Sequence, residues 1–220
     1  MTDLIHTRVF IVEDQAPLLK NLIKALAPFP ELELVGTEMD GERAVDAIIR
    51  AKPNLVLLDL ELPGLNGIQV TGKVKRRAPE IEILILTSFE DEQKVYEVVQ
   101  AGASGYLVKR VGPEKIRSSI QEVMNGGTVL EPIIAKKFWI YFQSVQARPE
   151  TKTNPWGLSE QEFDVLRYVT KGLSNAEVGH VMTIERRTVR THLSHIYKKM
   201  GVNSHVEAVV MALRAGLVEI

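Results

Sequence analysis

The sequence predicts a doubly wound α/β domain with a five-stranded parallel sheet, followed by a small all-α domain of four helices. The first part of this prediction rests on short apolar runs that alternate with helix-like segments over residues 1–126. Buried apolar strands joined by helices are typical of a parallel sheet that is covered on both faces. The second part rests on helix caps and on the helical spacing of apolar residues after residue 156.

Five strand–helix units account for the first domain. Turns such as Pro63-Gly64 and Gly112-Pro113 separate strands from helices, and Gly102 stands where a helix C-terminus favours glycine. The predicted strands cover residues 8–12, 32–38, 54–58, 81–86 and 105–108, and the predicted helices cover residues 17–26, 42–51, 68–77, 92–101 and 113–125.

The domain boundaries follow from changes in composition along the chain. Residues 6–126 form the first predicted domain, which Gly126-Gly127 closes. Residues 127–155 are predicted to be a linker, with an apolar and aromatic helix over 132–145 and then a polar stretch that has no periodicity. Residues 156–220 form the second predicted domain.

The second domain carries two capping boxes. Ser159 with Glu162, and Ser174 with Glu177, have the spacing in which each side chain satisfies the other residue's backbone N–H. The predicted helices cover residues 160–171, 175–182, 185–200 and 204–215. Two short helices joined by a tight turn, the second of them basic, predict a helix-turn-helix.

Composition excludes several classes of protein. The absence of cysteine excludes disulfides and thiolate metal sites. The N-terminal residues lack the basic and apolar regions of a signal peptide, and no apolar run approaches the roughly 20 residues that span a bilayer. We therefore expect a cytoplasmic protein without a membrane partner.

Polar side chains follow four of the predicted strands. These are the pair Glu13-Asp14, then Asp59, Thr87 and Lys109. Because the carboxyl ends of parallel strands meet at one edge, where the ligand sites of such sheets lie, these side chains should converge. Three carboxylates suit a cation such as Mg²⁺, while a hydroxyl and an ammonium suit an anion. The arrangement predicts a phosphoryl group accepted on Asp59, since a carboxylate can form an acyl phosphate.

The third helix of the second domain is predicted to have one apolar face and one basic face. Its core-facing stripe comprises Val189, Leu193, Ile196 and Met200. Residues 186–199 hold five basic residues, two histidines and no acid. Such a helix fits the major groove of DNA, and a solvated basic face is the alternative interpretation.

Residues 6–126 resemble a response-regulator receiver domain, which has a flavodoxin-like fold. The resemblance is carried by Glu13-Asp14, the segment from Asp59 to Gly67, Thr87-Ser88 and Lys109. It implies that Asp59 is the phosphoacceptor for a sensor histidine kinase, with Thr87 and Lys109 assisting.

The same resemblance implies a metal and a switch. Mg²⁺ (or Mn²⁺) would be held by Asp14, Asp59 and the backbone carbonyl of Glu61, with Glu13 binding directly or from the outer shell. Thr87 and Tyr106 would form the switch, in which Thr87 moves toward the phosphoryl group and Tyr106 rotates inward.

Residues 157–162, 173–178 and 188–202 resemble the LuxR-type DNA-binding domain. A receiver joined to such a domain is the architecture of the NarL/FixJ response regulators. By this resemblance Arg190, Thr191 and Ser194 are candidates for reading bases in double-stranded DNA. The candidates for phosphate contacts are Arg187, Thr188, Lys198 and Lys199. The family pattern also implies a homodimer on two-fold related half-sites after phosphorylation.

Two residues depart from the LuxR-type pattern. Glu185 stands where a serine or threonine usually caps the recognition helix, although an acid still suits a helix N-terminus. Gly179 replaces a helix former and is expected to loosen its helix by up to ~1 kcal/mol.

Three other functions remain open at this point. The helical domain could dock a protein instead of DNA, or the regulator could work without phosphorylation. Glu61, two residues after Asp59, also has the spacing of an aspartate-dependent phosphohydrolase, although the helical second domain argues against an enzyme.

Overall fold

The structure is a computed structural model in which residues 6–88, 92–130 and 154–215 are described. The strands are β1 (Thr7–Val12), β2 (Leu32–Glu38), β3 (Leu55–Leu58), β4 (Glu82–Thr87), β5 (Gly105–Val108) and β6 (Val129–Leu130). The helices between them are α1 (Ala16–Leu26), α2 (Gly41–Ala51), α3 (Gly67–Arg77), α4 (Glu92–Gln100) and α5 (Pro113–Met124). The later helices are α6 (Glu160–Thr170), α7 (Asn175–Met182), α8 (Arg186–Met200) and α9 (His205–Arg214).

The strands form a parallel sheet in the order β2-β1-β3-β4-β5-β6. The doubly wound fold is confirmed, but the prediction of five strands was one too few for the described part of the chain. The additional strand, β6, pairs with β5 through only two residues, Val129 and Leu130. A segment this short carries no periodicity that a sequence pattern could reveal.

The buried strands supply side chains to both faces of the sheet, which explains why they are apolar throughout. All four residues of β3 are fully buried. Leu55 and Leu57 pack in the layer that includes α1 and α5, whereas Val56 and Leu58 pack in the layer that includes α2, α3 and α4. Alternation along a strand therefore builds two apolar layers from one sequence run.

The start of α3 is held tightly against the end of β3. Asn66 and Gln69 form a capping box there, which the sequence interpretation missed. A Cβ on Gly67 would lie 2.2 Å from the backbone oxygen of Asp59, so only glycine fits at this position. The loop after β3 is thereby fixed in place beside Asp59.

The helical domain has its own core. Both predicted capping boxes, Ser159 with Glu162 and Ser174 with Glu177, are present. The predicted stripe on α8 is confirmed, since Val189, Leu193, Ile196 and Met200 are all buried. These side chains pack with apolar residues of α6, α7 and α9. The linker helix predicted over 132–145 lies outside the described residues.

Candidate functional sites

The parallel pairing brings the predicted site residues to one edge of the sheet. Backbone hydrogen bonds lock the neighbouring strand ends together: Asp59 donates to Val12 at 3.0 Å, and Lys109 donates to Thr87 at 2.8 Å. Glu13 and Asp14 follow β1 directly, and Thr87 is the last residue of β4. The structure therefore brings Glu13, Asp14, Asp59 and Lys109 together from the ends of three strands, and Thr87 ends the strand between β3 and β5.

Glu13, Asp14 and Asp59 form a carboxylate cluster. One oxygen from each residue can be chosen so that all of them lie within 4.8 Å of one another. Glu13 is 1% exposed and Asp59 is 3% exposed, so their charges are largely removed from water. The Nζ atom of Lys109 lies 2.7 Å from Glu13 and 2.7 Å from Asp59. A single ammonium therefore bridges two of the three carboxylates.

The ionisation of Lys109 and Glu13 reflects this crowding. Burial by itself would lower the pKa of Lys109, but its hydrogen bonds to Asp59 and Glu13 outweigh that effect and raise the pKa. Burial raises the pKa of Glu13, and hydrogen bonding to Lys109 only partly opposes this. Lys109 therefore stays charged, whereas burial disfavours the ionised form of Glu13.

A cation fits this cluster. The Oδ1 atom of Asp14 is buried and has no hydrogen-bond partner in the part of the chain that the structure describes. Among the contacts of Asp59, Oδ1 accepts the N–H of Leu60 at 2.7 Å, and Oδ2 contacts Lys109. Hard carboxylate oxygens of this kind suit Mg²⁺. Three acids within reach of one point are therefore able to hold a metal ion.

Two predicted switch residues lie in the core close to this edge. Thr87 and Tyr106 are both fully buried. Tyr106 packs in the same apolar layer as Val95 and Val98 of α4. The side chain of Tyr106 is therefore already turned inward here, which is the orientation that the resemblance assigns to the phosphorylated form.

The side chain of Glu61, whose backbone carbonyl is a predicted metal ligand, is exposed.

The candidate DNA-contacting residues fall on α8 away from its buried stripe. Thr191, Ser194 and Lys198 are exposed, and Arg190 is partly exposed. Arg187 pairs with Glu185 at 2.7 Å. This basic helix therefore presents a continuous polar face of the dimensions that the major groove accepts.

Lys199 makes a contact within its domain that the sequence interpretation missed. Its Nζ atom lies 2.6 Å from the carboxylate of Glu162, the capping-box residue of α6. The two residues are 37 positions apart, so no local pattern indicates the pair. Lys199 therefore ties the recognition helix to the first helix of its domain.

Close packing explains why position 179 is a glycine. A Cβ at this position would lie 2.7 Å from the backbone oxygen of Ile184 in the turn before α8. Glycine lets α7 approach that turn closely, which a larger residue would prevent. The expected weakening of α7 therefore accompanies a tight helix–turn contact.

The two domains pack against each other through the recognition helix. Arg190 lies 3.3 Å from Glu82 at the start of β4. Nearby, the N–H of Asn175 donates to the backbone oxygen of Asn125 at 3.0 Å, and the Ser204 hydroxyl donates to that of Val99 at 3.3 Å. One candidate base reader, Arg190, is therefore in contact with the first domain while its side chain stays partly exposed.

A carboxylate cluster at the carboxyl edge of a doubly wound sheet, joined to a basic helix-turn-helix, defines the class of phosphorylation-controlled DNA-binding proteins. Comparison with known proteins places both parts of the chain in families of this class. Residues 9–121 match the response regulator receiver domain family, and residues 157–212 match the family of bacterial regulatory proteins of the luxR type.

The relatives are similar over nearly their whole length. The transcriptional regulatory protein LiaR of Bacillus subtilis is 31% identical, over 96% of this chain and 99% of the relative. DegU of Brevibacillus brevis is 29% identical, over 97% of this chain and 95% of the relative. The chain belongs to the response regulators of the NarL/FixJ family, and it is a transcription factor controlled by phosphorylation.

Solved structures of response regulators have similar folds. The response regulator ChrA of a heme-sensing two-component system matches with a TM-score of 0.52 and 28% identity, over 97% of this chain and 99% of that one. A LuxR-family response regulator from Aurantimonas sp. SI85-9A1 matches with a TM-score of 0.58 and 25% identity, over 61% of this chain and 96% of that one.

Within the described residues, no helix is both long and apolar enough to cross a membrane.

Proposed function

We propose that Asp59 accepts the phosphoryl group from a phosphohistidine of a sensor histidine kinase. A carboxylate oxygen of Asp59 attacks phosphorus, the P–N bond breaks, and the imidazole nitrogen keeps the electron pair and takes a proton. The observation that carries this proposal is the convergence of Glu13, Asp14, Asp59 and Lys109 at one sheet edge.

Lys109 and Thr87 would then hold the phosphoryl group. The Lys109 ammonium already contacts Asp59 at 2.7 Å, so it is placed to follow the new negative charge. Thr87 ends the neighbouring strand and offers a hydroxyl to a phosphoryl oxygen. Movement of Thr87 would change the packing around Tyr106, which lies beside α4, and would pass the signal to that helix.

The metal would be Mg²⁺, or Mn²⁺ in its place. We assign Asp14, Asp59 and the backbone carbonyl of Glu61 as its ligands, with Glu13 binding directly or through water. The unpartnered buried oxygen of Asp14 supports this assignment. The ion would supply positive charge that offsets the charge of the transferred phosphoryl group.

We assign DNA contacts to the exposed face of α8. Arg190, Thr191 and Ser194 would reach base edges, whereas phosphate contacts fall to Arg187, Thr188, Lys198 and Lys199. A short helix makes few contacts, so a homodimer on two-fold related half-sites would bind more firmly than a monomer. The contact between Arg190 and Glu82 supports a resting form in which the receiver covers this face.

Selection from a genome-derived DNA pool tests the proposal. Wild type and Asp59→Ala are each compared with and without Mg²⁺ and a small phosphodonor. Enrichment that increases with phosphodonor only in the wild type is the expected result. Equal enrichment in all four samples would remove the phosphorylation switch, and no enrichment in any sample would favour a protein partner for the helical domain.

A further inference from the structure

We infer that Glu82 is an interdomain latch, whose carboxylate holds Arg190 in the place that DNA would otherwise take. This inference rests on the proposed function, because it assigns the means by which the receiver withholds the recognition helix. Oε1 of Glu82 lies 3.3 Å from a guanidinium nitrogen of Arg190, and the two residues are 108 positions apart.

Groups of the receiver itself hold the Glu82 carboxylate in place, independently of Arg190. Its Oε2 atom accepts a hydrogen bond from the Ser104 hydroxyl and lies 3.6 Å from the ammonium of Lys75. The side chain of Lys75 is only 4% exposed and also donates to the backbone oxygen of Pro79 at 3.3 Å. Groups on either side therefore hold the carboxylate in one orientation, which reduces the entropy lost when Arg190 binds.

The contact between Arg190 and Glu82 is weak enough to be broken when DNA binds. It is a single N–O approach, and the side chains of Arg190 and Glu82 remain 35% and 22% exposed. Partly solvated pairs of this kind contribute little, whereas two-pronged pairs of a guanidinium with a carboxylate are stronger. A guanidinium held against β4 of the receiver cannot also enter the major groove, because the receiver occupies the space beside it. DNA binding therefore requires this contact to break.

The position of Glu82 connects it to the phosphorylation site. Glu82 is the first residue of β4, and Thr87 is the last. Ser104, which orients Glu82, lies between α4 and β5, and the C-terminal turn of α4 also accepts the hydrogen bond from Ser204 at the start of α9. A displacement of α4 would thus disturb both the orientation of Glu82 and the second tether between the domains.

The variant Glu82→Gln tests the latch. An amide keeps the shape of the side chain but removes the charge that holds Arg190. Without phosphodonor, we expect this variant to bind an enriched DNA duplex about fivefold more tightly than the wild type, as loss of an ion pair worth ~1 kcal/mol would give. Glu42→Gln is the matched control, because Glu42 is exposed on α2, away from Lys75 and Arg190, and makes no ion pair among the described residues. It should bind like the wild type.

A second variant removes the risk that a buried, unpaired Lys75 unfolds the receiver. The double variant Lys75→Met with Glu82→Gln takes out both charges and should show the same gain in affinity. Small-angle scattering measures domain opening without DNA, and both variants should have a larger radius of gyration than the wild type. A folded variant with unchanged affinity and unchanged radius would overturn the latch. If the phosphorylated wild type failed to bind DNA, the proposed function would be wrong. The radius of gyration would then test the latch by itself: a larger radius in the variants would support it, and an unchanged radius would overturn it.

Discussion

Lys109 is the residue on which the resting charge balance of the phosphoacceptor site depends. It contacts two carboxylates that are almost wholly buried, and its own side chain is 12% exposed. Removing one partner from such a group leaves uncompensated buried charge, which is among the more damaging changes a core can suffer. Lys109 therefore has a structural role in the receiver, in addition to the phosphoryl contact proposed for it.

Replacement of Lys109 by methionine should reveal this structural role. We expect Lys109→Met to lower the free energy of unfolding at neutral pH by about 3 kcal/mol, measured by urea denaturation. Lys115→Met is the control, because Lys115 is exposed on α5 and its loss should change little. Added Mg²⁺ should recover part of the lost stability in Lys109→Met. Equal stability of the two variants would contradict this account.

Single residues divide clearly into those that the sequence could reveal and those that it could not. Asp59 and Lys109 were predictable because each follows an apolar strand whose end must lie at the same sheet edge. The pairs of Glu82 with Arg190 and of Glu162 with Lys199 join residues that are far apart in the chain and on different elements. Only the folded arrangement brings such partners together, so no spacing rule indicates them.

At the scale of elements, the capping boxes determine where the helices of the DNA-binding domain begin. The Ser159 hydroxyl accepts the N–H of Glu162, and the Glu162 carboxylate accepts the N–H of Ser159 at 2.7 Å. We expect Ser159→Ala to lower the free energy of unfolding by about 1 kcal/mol, the usual cost of losing such a cap. Thermal unfolding followed by circular dichroism measures the loss. A variant with an unchanged midpoint would show that the cap adds no stability.

Glu162 gives this domain a pH dependence. Burial would raise the pKa of Glu162, but hydrogen bonds from Lys199 and Ser159 outweigh burial and lower the pKa below its ordinary value of 4.5. A carboxyl whose folded-state pKa is lowered contributes stability above the unfolded value and loses it as the pH falls through the folded value.

The variant Glu162→Gln isolates the charge, because glutamine still serves in a capping box. We expect it to be less stable than the wild type at pH 7 and to approach the wild type as the pH falls below 4.5. Glu160→Gln, an exposed position in the same helical turn, should show no such pH-dependent difference. A penalty for Glu162→Gln that stays constant with pH would rule out the charge as its cause.

The elements that the sequence predicted correctly are those long enough to show an apolar pattern or a cap. The strands around the site and the helices of the second domain were found from apolar runs and caps. Strand β6 was missed because a two-residue pairing depends on β5 being in place beside it. The capping box of Asn66 and Gln69 was missed because the turn formers around it suggested only a loop.

At the scale of the whole molecule, the placement of the two domains was the least predictable feature. It depends on close backbone approaches, as at Gly126, where a Cβ would lie 2.1 Å from the side chain of Asn175. It also depends on a few polar contacts that include Arg190 with Glu82. Contacts this few can be exchanged for others at modest cost in free energy, which fits the proposed change from a closed to a DNA-binding form.

We propose that phosphorylation of Asp59 converts the closed form into the DNA-binding form. The most direct test is the affinity of the full chain for an enriched duplex, with Mg²⁺, in the presence and absence of phosphodonor, for the wild type and Asp59→Asn. We predict that the phosphodonor makes binding by the wild type about tenfold tighter, a usual size for such coupling, and leaves Asp59→Asn unchanged. An equal gain in both proteins would show that the phosphodonor does not act through Asp59.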